Sequence, residues 1–211
     1  MGQAEVIALD KVRARQRQDT LRQKLHACFE RWLDRLEERL PEARGTLLET
    51  TQAVGELRQS LTGSLTTTLL QHTHEAEYNR HHAACPQCER SVKTRGPASR
   101  TLETLVGPVQ LQRPYFYCAC CRLGFSPVDT ALEVLAGHIQ LDVQQAAAKV
   151  AAEVPYETAH TLFTDLTGVP VSTERLHTLT NLSGKNIQTL LSTEIYTPPC
   201  PSLFCLSMTS P

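Results

Sequence analysis

The stretch "CPQCERSVKTRG" begins at Cys85, and "YFYCACCRLG" carries Cys118 and Cys121; each sets two cysteines two residues apart. Thiolate is the soft ligand that zinc prefers, and a closed tetrahedral site needs four such groups aimed at one ion. Two intervening residues let a tight knuckle turn point both sulfurs the same way. Cys85, Cys88, Cys118 and Cys121 are therefore the expected ligands of one zinc. With every coordination position taken by the chain, that zinc is structural and has no place for a hydrolytic water. Cys120 complicates the second pair, because Cys118-Ala119-Cys120-Cys121 offers three sulfurs for two positions. Only the repeated two-residue gap selects Cys118 and Cys121. Four buried or disulfide-linked cysteines are the alternative, and they leave the repeated spacing unexplained. His72, His74, His81 and His82 precede the first pair. Four cysteines complete a site without them, so they read as exposed residues on a helix end and linker.

Twenty-nine residues separate Cys88 from Cys118, enough for strands to carry the second knuckle back to the first. Within them, "RTLETLVGPVQLQRPYFYC" alternates on both sides of Gly107-Pro108. Leu102, Thr104 and Val106 precede that turn, and Val109, Leu111, Tyr115 and Tyr117 follow it. This predicts a hairpin, with Pro114 marking an edge or bulge.

Before the ribbon, Leu21, Leu25, Cys28, Phe29, Trp32, Leu36 and Leu40 recur at helical spacing, which predicts one helix over 10–40 ending at Pro41. Its apolar stripe packs on its own chain or, alternatively, forms a homodimer. Residues 46–79 read as weaker helix because of Gly55, Gly63 and the threonines at 66–68. After the ribbon, "LDVQQAAAKVAAEV", "YETAHTLFTDL" and "STERLHTLTNL" predict three helices, with Gly168 as a stop and Ser172 as an N-cap. The expected fold class is mainly α with a small β zinc ribbon. It divides into a helical region over 1–79, the ribbon over 80–128, a helix-turn-helix-like trio over 129–186 and a disordered tail over 187–211.

The 211 residues carry a net charge of −1, which by itself favours no partner. The distribution is uneven. Residues 80–125 hold seven basic side chains against two acidic ones, and residues 126–211 hold three against eight. The ribbon is thus the positive part, with Lys93, Arg95, Arg100 and Arg113 as candidate phosphate contacts to double-stranded DNA. On the third helix of the trio, Leu176 and Leu179 face a core while His177 and Asn181 face out, as candidates for reading base edges. No segment approaches the ~20 apolar residues of a membrane helix. Glu5, Asp10 and Lys11 interrupt any secretory signal, and Val6 stands where a myristoylation site wants Ser or Thr. A cytoplasmic location is expected, where paired thiols stay reduced and bind metal.

Together Cys85-Pro86-x-Cys88, "TLVGPVQLQRPYFYC", Cys118-x-x-Cys121, "GFSPVD" and "LTGVPVS" resemble the transposases of the Kra-type bacterial insertion sequences. The resemblance runs from residue 85 to about 184, roughly half the chain. It implies a region that binds transposon-end DNA, followed in the family by an RNase-H-like core with acidic metal ligands. Glu89 and Arg122 stand where the family has glycines after its cysteine pairs, so strained knuckle turns are expected. The pattern stops near Gly184, a truncation before that core, and the stretch from Ile195 on, which carries no charge, reads as readthrough of an interrupted gene. The chain is then expected to bind DNA without cutting it. A free-standing zinc-ribbon and helix-turn-helix regulator is the alternative, and a hydrolytic metal enzyme a third reading.

Overall fold

The computed structural model describes residues 2–40 and 45–182. Helix α1 (Gly2–Arg39) and helix α2 (Leu47–Thr73) form an antiparallel hairpin. The Trp32 indole N–H donates to the Leu57 carbonyl at 3.0 Å, and the Cys28 thiol lies 3.3 Å from the Thr68 hydroxyl. Thr46 opens α2 with a capping box. Its hydroxyl accepts from the Glu49 N–H, and the Glu49 carboxylate accepts from the Thr46 N–H at 2.8 Å. These reciprocal bonds satisfy donors that a helix start leaves bare, and they hold the Glu49 carboxyl below its ordinary pKa.

The glycine and threonines that weaken α2 as an isolated helix are where it meets the sheet, at the strand Gly107–Cys118. A side chain at Gly63 would lie 2.4 Å from the Pro108 carbonyl oxygen, so only hydrogen allows this approach. The Thr62 hydroxyl bonds the Val106 carbonyl, and the Thr67 hydroxyl accepts from the Gln110 N–H at 3.2 Å. Local propensity argues against helix here, and packing on the sheet overrides it.

A short helix α3 (Glu75–Tyr78) leads into a four-stranded antiparallel sheet in the order β1-β2-β3-β4. The strands are β1 (His82–Ala84), β2 (Ser91–Thr104), β3 (Gly107–Cys118) and β4 (Leu123–Phe125). The hairpin is longer than its alternation predicts, and its turn falls at Leu105-Val106, before Gly107 rather than across Gly107-Pro108. Thr104 pairs with Gly107, and the Thr104 hydroxyl donates to the Gly107 carbonyl at 2.7 Å. The irregularity expected near Pro114 lies across the ladder, between Thr94 and Gly96. There Pro114 faces Pro97, and neither imino acid can donate a ladder bond.

Leu102, Val109 and Leu111 form the sheet's buried face, covered by Leu70, Leu132 and Val134. Helix α4 (Pro127–Ala131) follows, then α5 (Leu141–Glu153), α6 (Tyr156–Thr167) and a last helix, α7, over 173–182. The final three enclose a second core of Val143, Ala147, Ala159, Phe163, Val169, Val171, Leu176 and Leu179. Gly168 ends α6 at φ 71°, and the Ser172 hydroxyl accepts from the Arg175 N–H, both as the sequence predicts. The tail expected over 187–211 lies outside the described residues.

Candidate metal centre

Each knuckle sits where a strand ends. Cys85 follows β1, and its N–H donates to the Arg90 carbonyl at 2.9 Å while its carbonyl accepts from the Glu89 N–H at 2.9 Å. Cys118 is the last residue of β3, and Cys121 lies in the turn to β4. Both turns close through a left-handed residue, Glu89 at φ 58° and Arg122 at φ 54°. These are the two positions where the sequence lacks glycine, and each side chain accepts a conformation that L-residues avoid. Beneath the second knuckle, fully buried Phe116 stacks on Phe125 with ring centres 5.5 Å apart.

The four sulfurs of Cys85, Cys88, Cys118 and Cys121 lie within 4.8 Å of one another. Sulfurs about 2.3 Å from a zinc ion make a tetrahedron with edges of about 3.8 Å, and Cys88 and Cys118 are 3.7 Å apart. The donor set fits a metal ion. Cys85 and Cys118 are buried, whereas Cys88 and Cys121 are partly exposed. Backbone donation from Gln87, aided by Cys88 and by neighbouring thiols, lowers the Cys85 thiol to about 7. The hydrogen bond to Cys88, then burial, pushes the Cys121 thiol up. Four thiolates at this spacing repel one another, and a divalent cation removes the conflict.

Cys120 is exposed and stands outside the group, which resolves the three-for-two ambiguity. The four histidines before the first pair also stay out of it. Among the described residues this is the one cluster of three or more His, Cys, Asp or Glu side chains placed to hold a metal.

The candidate phosphate contacts separate into two groups. Lys93 and Arg95 are exposed on β2 beside the first knuckle, and the Arg95 guanidinium lies 5.6 Å above the Tyr117 ring. With Arg90, which the sequence reading passed over, they line a cleft of about 510 Å³ that reaches Tyr117 and Cys120. Arg100 and Arg113 are turned inward, which corrects their assignment to a free basic face. Arg100 donates to Asp129 at 3.0 Å and to the Leu135 and Gly137 carbonyls at 2.6 and 2.7 Å. Arg113 donates to the other Asp129 oxygen at 2.5 Å. Nothing in the sequence pairs these arginines with an acid 29 and 16 residues away; the sheet and α4 bring them together. His177 and Asn181 lie on the exposed face of α7, with the Asn181 amide 3.2 Å from the His177 ring and that ring edge-on to Tyr156 at 5.3 Å.

Among the described residues no helix is long and apolar enough to cross a membrane. Comparison with protein-family models, with curated proteins and with solved structures found no match to this chain.

Proposed function

We propose that the chain is the DNA-binding region of an insertion-sequence transposase of the Kra type, with a zinc ribbon and a helix-turn-helix-like trio that together hold transposon-end DNA. The observation that carries this reading is the four-cysteine cluster, with Lys93 and Arg95 exposed beside it on strand β2 and Arg90 exposed just before that strand. Zinc, when bound, would act as a crosslink between the two knuckles. That crosslink fixes the strand end from which Lys93 and Arg95 project. Their guanidinium and ammonium groups then meet phosphates, which positions the protein without reading sequence. Base reading falls to α7, whose Leu176 and Leu179 anchor it to the core while His177 and Asn181 face outward. Asn suits adenine, through paired bonds to its N6 and N7.

The test is fluorescence anisotropy of the zinc-loaded chain with labelled duplexes of transposon-end and shuffled sequence. Preference for the end sequence, lost on Asn181→Ala and weakened for both duplexes by Lys93→Ala with Arg95→Ala, is the expected result. Equal affinity for both duplexes, indifferent to these changes, would reject the reading.

A further inference from the structure

Helix α1 carries cations at one angular position of its surface. Arg13, Arg17, Lys24, Arg31 and Arg35 are separated by 4, 7, 7 and 4 residues, so all five fall on one face. That face looks across at α2 and at Gln110 and Gln112 of β3. Two clefts lie between them. One, of about 510 Å³, takes Arg13, Arg17 and Lys24 from α1 and Gln112 from β3. The other, of about 490 Å³, takes Arg31 and Arg35 from α1 and Gln110 from β3. Gln71 of α2 lines both, so they are neighbouring parts of one groove.

The opposite wall is polar, with Glu75 as its one charge. Ser60, Ser64, Thr67 and Thr68 line it from successive turns of α2, their hydroxyls donating to carbonyls of that helix, while the Gln71 and Gln110 side chains line the same cleft. Glu75 is, among the described residues, the one carboxylate lining either cleft. Among the described residues none of the five cations forms an ion pair. Arg31 is nonetheless held in place, donating to the Ala27 carbonyl at 3.1 Å and to the Cys28 sulfur at 3.3 Å. Its guanidinium is thus oriented without being neutralised.

We infer that this groove binds the phosphodiester backbone of a nucleic-acid strand. From Arg13 to Arg35 the face runs about 33 Å at 1.5 Å per residue. A strand of B-form DNA places about ten phosphates along that length. Guanidinium forks match phosphate oxygens, and the amides of Gln71, Gln110 and Gln112 match the phosphate and sugar oxygens between them. A single small anion would fill only a fraction of the groove. The inference stands apart from the ribbon and α7, since it uses other elements and needs neither to touch DNA.

The experiment uses the full zinc-loaded chain and labelled single-stranded and duplex oligonucleotides, with affinity measured by anisotropy across salt concentrations. Two charge-removing pairs are compared, Arg31→Gln with Arg35→Gln, and Arg13→Gln with Arg17→Gln, together with the charge-keeping pair Arg31→Lys with Arg35→Lys. Each glutamine pair should flatten the logarithmic salt dependence by roughly 1.4 on single strands or 1.8 on duplex, and cost on the order of tenfold in affinity. The lysine pair should keep the slope. Which substrate shows the loss tells whether the strand enters alone or as one edge of a duplex. If the Arg31 and Arg35 change disturbs the helix pair, seen as a lower melting temperature, the Arg13 and Arg17 pair decides. Unchanged slope and affinity in a folded glutamine pair overturn the inference. So does displacement of the oligonucleotide by polyglutamate or by inorganic phosphate at equal charge concentration. Slopes that fall for the groove pairs but not for Lys93→Ala with Arg95→Ala keep the groove and remove the ribbon as a phosphate contact.

Discussion

At the scale of single residues, the metal cluster makes the sharpest distinctions. Cys118 and Cys121 belong to the four-sulfur group, whereas Cys120, between them in sequence, is exposed. Cys118→Ser and Cys121→Ser should each lower bound zinc well below one per chain and melt the knuckle end of the sheet. Cys120→Ser should keep one zinc per chain, as read by metal analysis of purified protein; equal loss from Cys120→Ser would contradict the assignment. The knuckle turns offer a second test. Glu89 and Arg122 hold left-handed backbone at φ 58° and 54°, a conformation that costs an L-residue about 1–2 kcal/mol. Glycine avoids that cost and gives back part of it in unfolded-state entropy. Glu89→Gly and Arg122→Gly should therefore each raise the stability of the zinc-loaded chain by about 1 kcal/mol in urea denaturation. A decrease would mean that the side chains make compensating contacts.

At the scale of elements, α2 shows how one residue type can act in opposite ways. Gly55 and Gly63 both interrupt its sequence, but a side chain at Gly55 meets nothing within 4 Å whereas one at Gly63 strikes the Pro108 backbone at 2.4 Å. Gly55→Ala should stabilise the protein by about 0.5–1 kcal/mol through helix propensity. Gly63→Ala should destabilise it by about 1–3 kcal/mol, because strand β3 must move away from α2. Thermal melting of the two variants side by side checks the sign; a stabilised Gly63→Ala would show that α2 and β3 do not pack closely. The junction of sheet and α4 depends on Asp129, which takes one bond from Arg100 and one from Arg113. Asp129→Asn leaves both guanidiniums half-buried without a counter-charge and should cost about 3 kcal/mol in the same assay.

At the scale of the whole molecule, the proposed function is one of holding DNA rather than cutting it. Two-metal phosphoryl transfer needs carboxylates gathered around ions about 4 Å apart. Among the described residues the only such ligand cluster is the four cysteines. Asp129 is taken by two arginines, and Asp142 accepts from the Leu105 and Val143 N–H groups at 2.8 Å each. The chain should leave transposon-end DNA intact in magnesium or manganese, as followed by strand-cleavage assay on denaturing gels. Metal-dependent nicking that disappears on substitution of a single Asp or Glu would overturn this.

The four clustered cysteines, the three closing helices and their Gly168 and Ser172 boundaries were legible in the sequence. Each rests on local rules: a two-residue knuckle, a 3.6-residue period, a left-handed stop and a hydroxyl cap. The hairpin was legible too, but not its turn, because Gly107 takes its positive φ inside the first strand pair while Leu105 and Val106 make the reversal. Tertiary structure alone decided the rest. It showed that Cys120 stays outside the cluster, that Gly63 and the threonines of α2 are contact residues, and that Arg100 and Arg113 belong to Asp129. It also set the cations of α1 against the hydroxyl face of α2. Those outcomes turn on which groups meet across long stretches of chain, and a charge or a glycine looks the same in sequence whether it meets water, a counter-ion or another backbone.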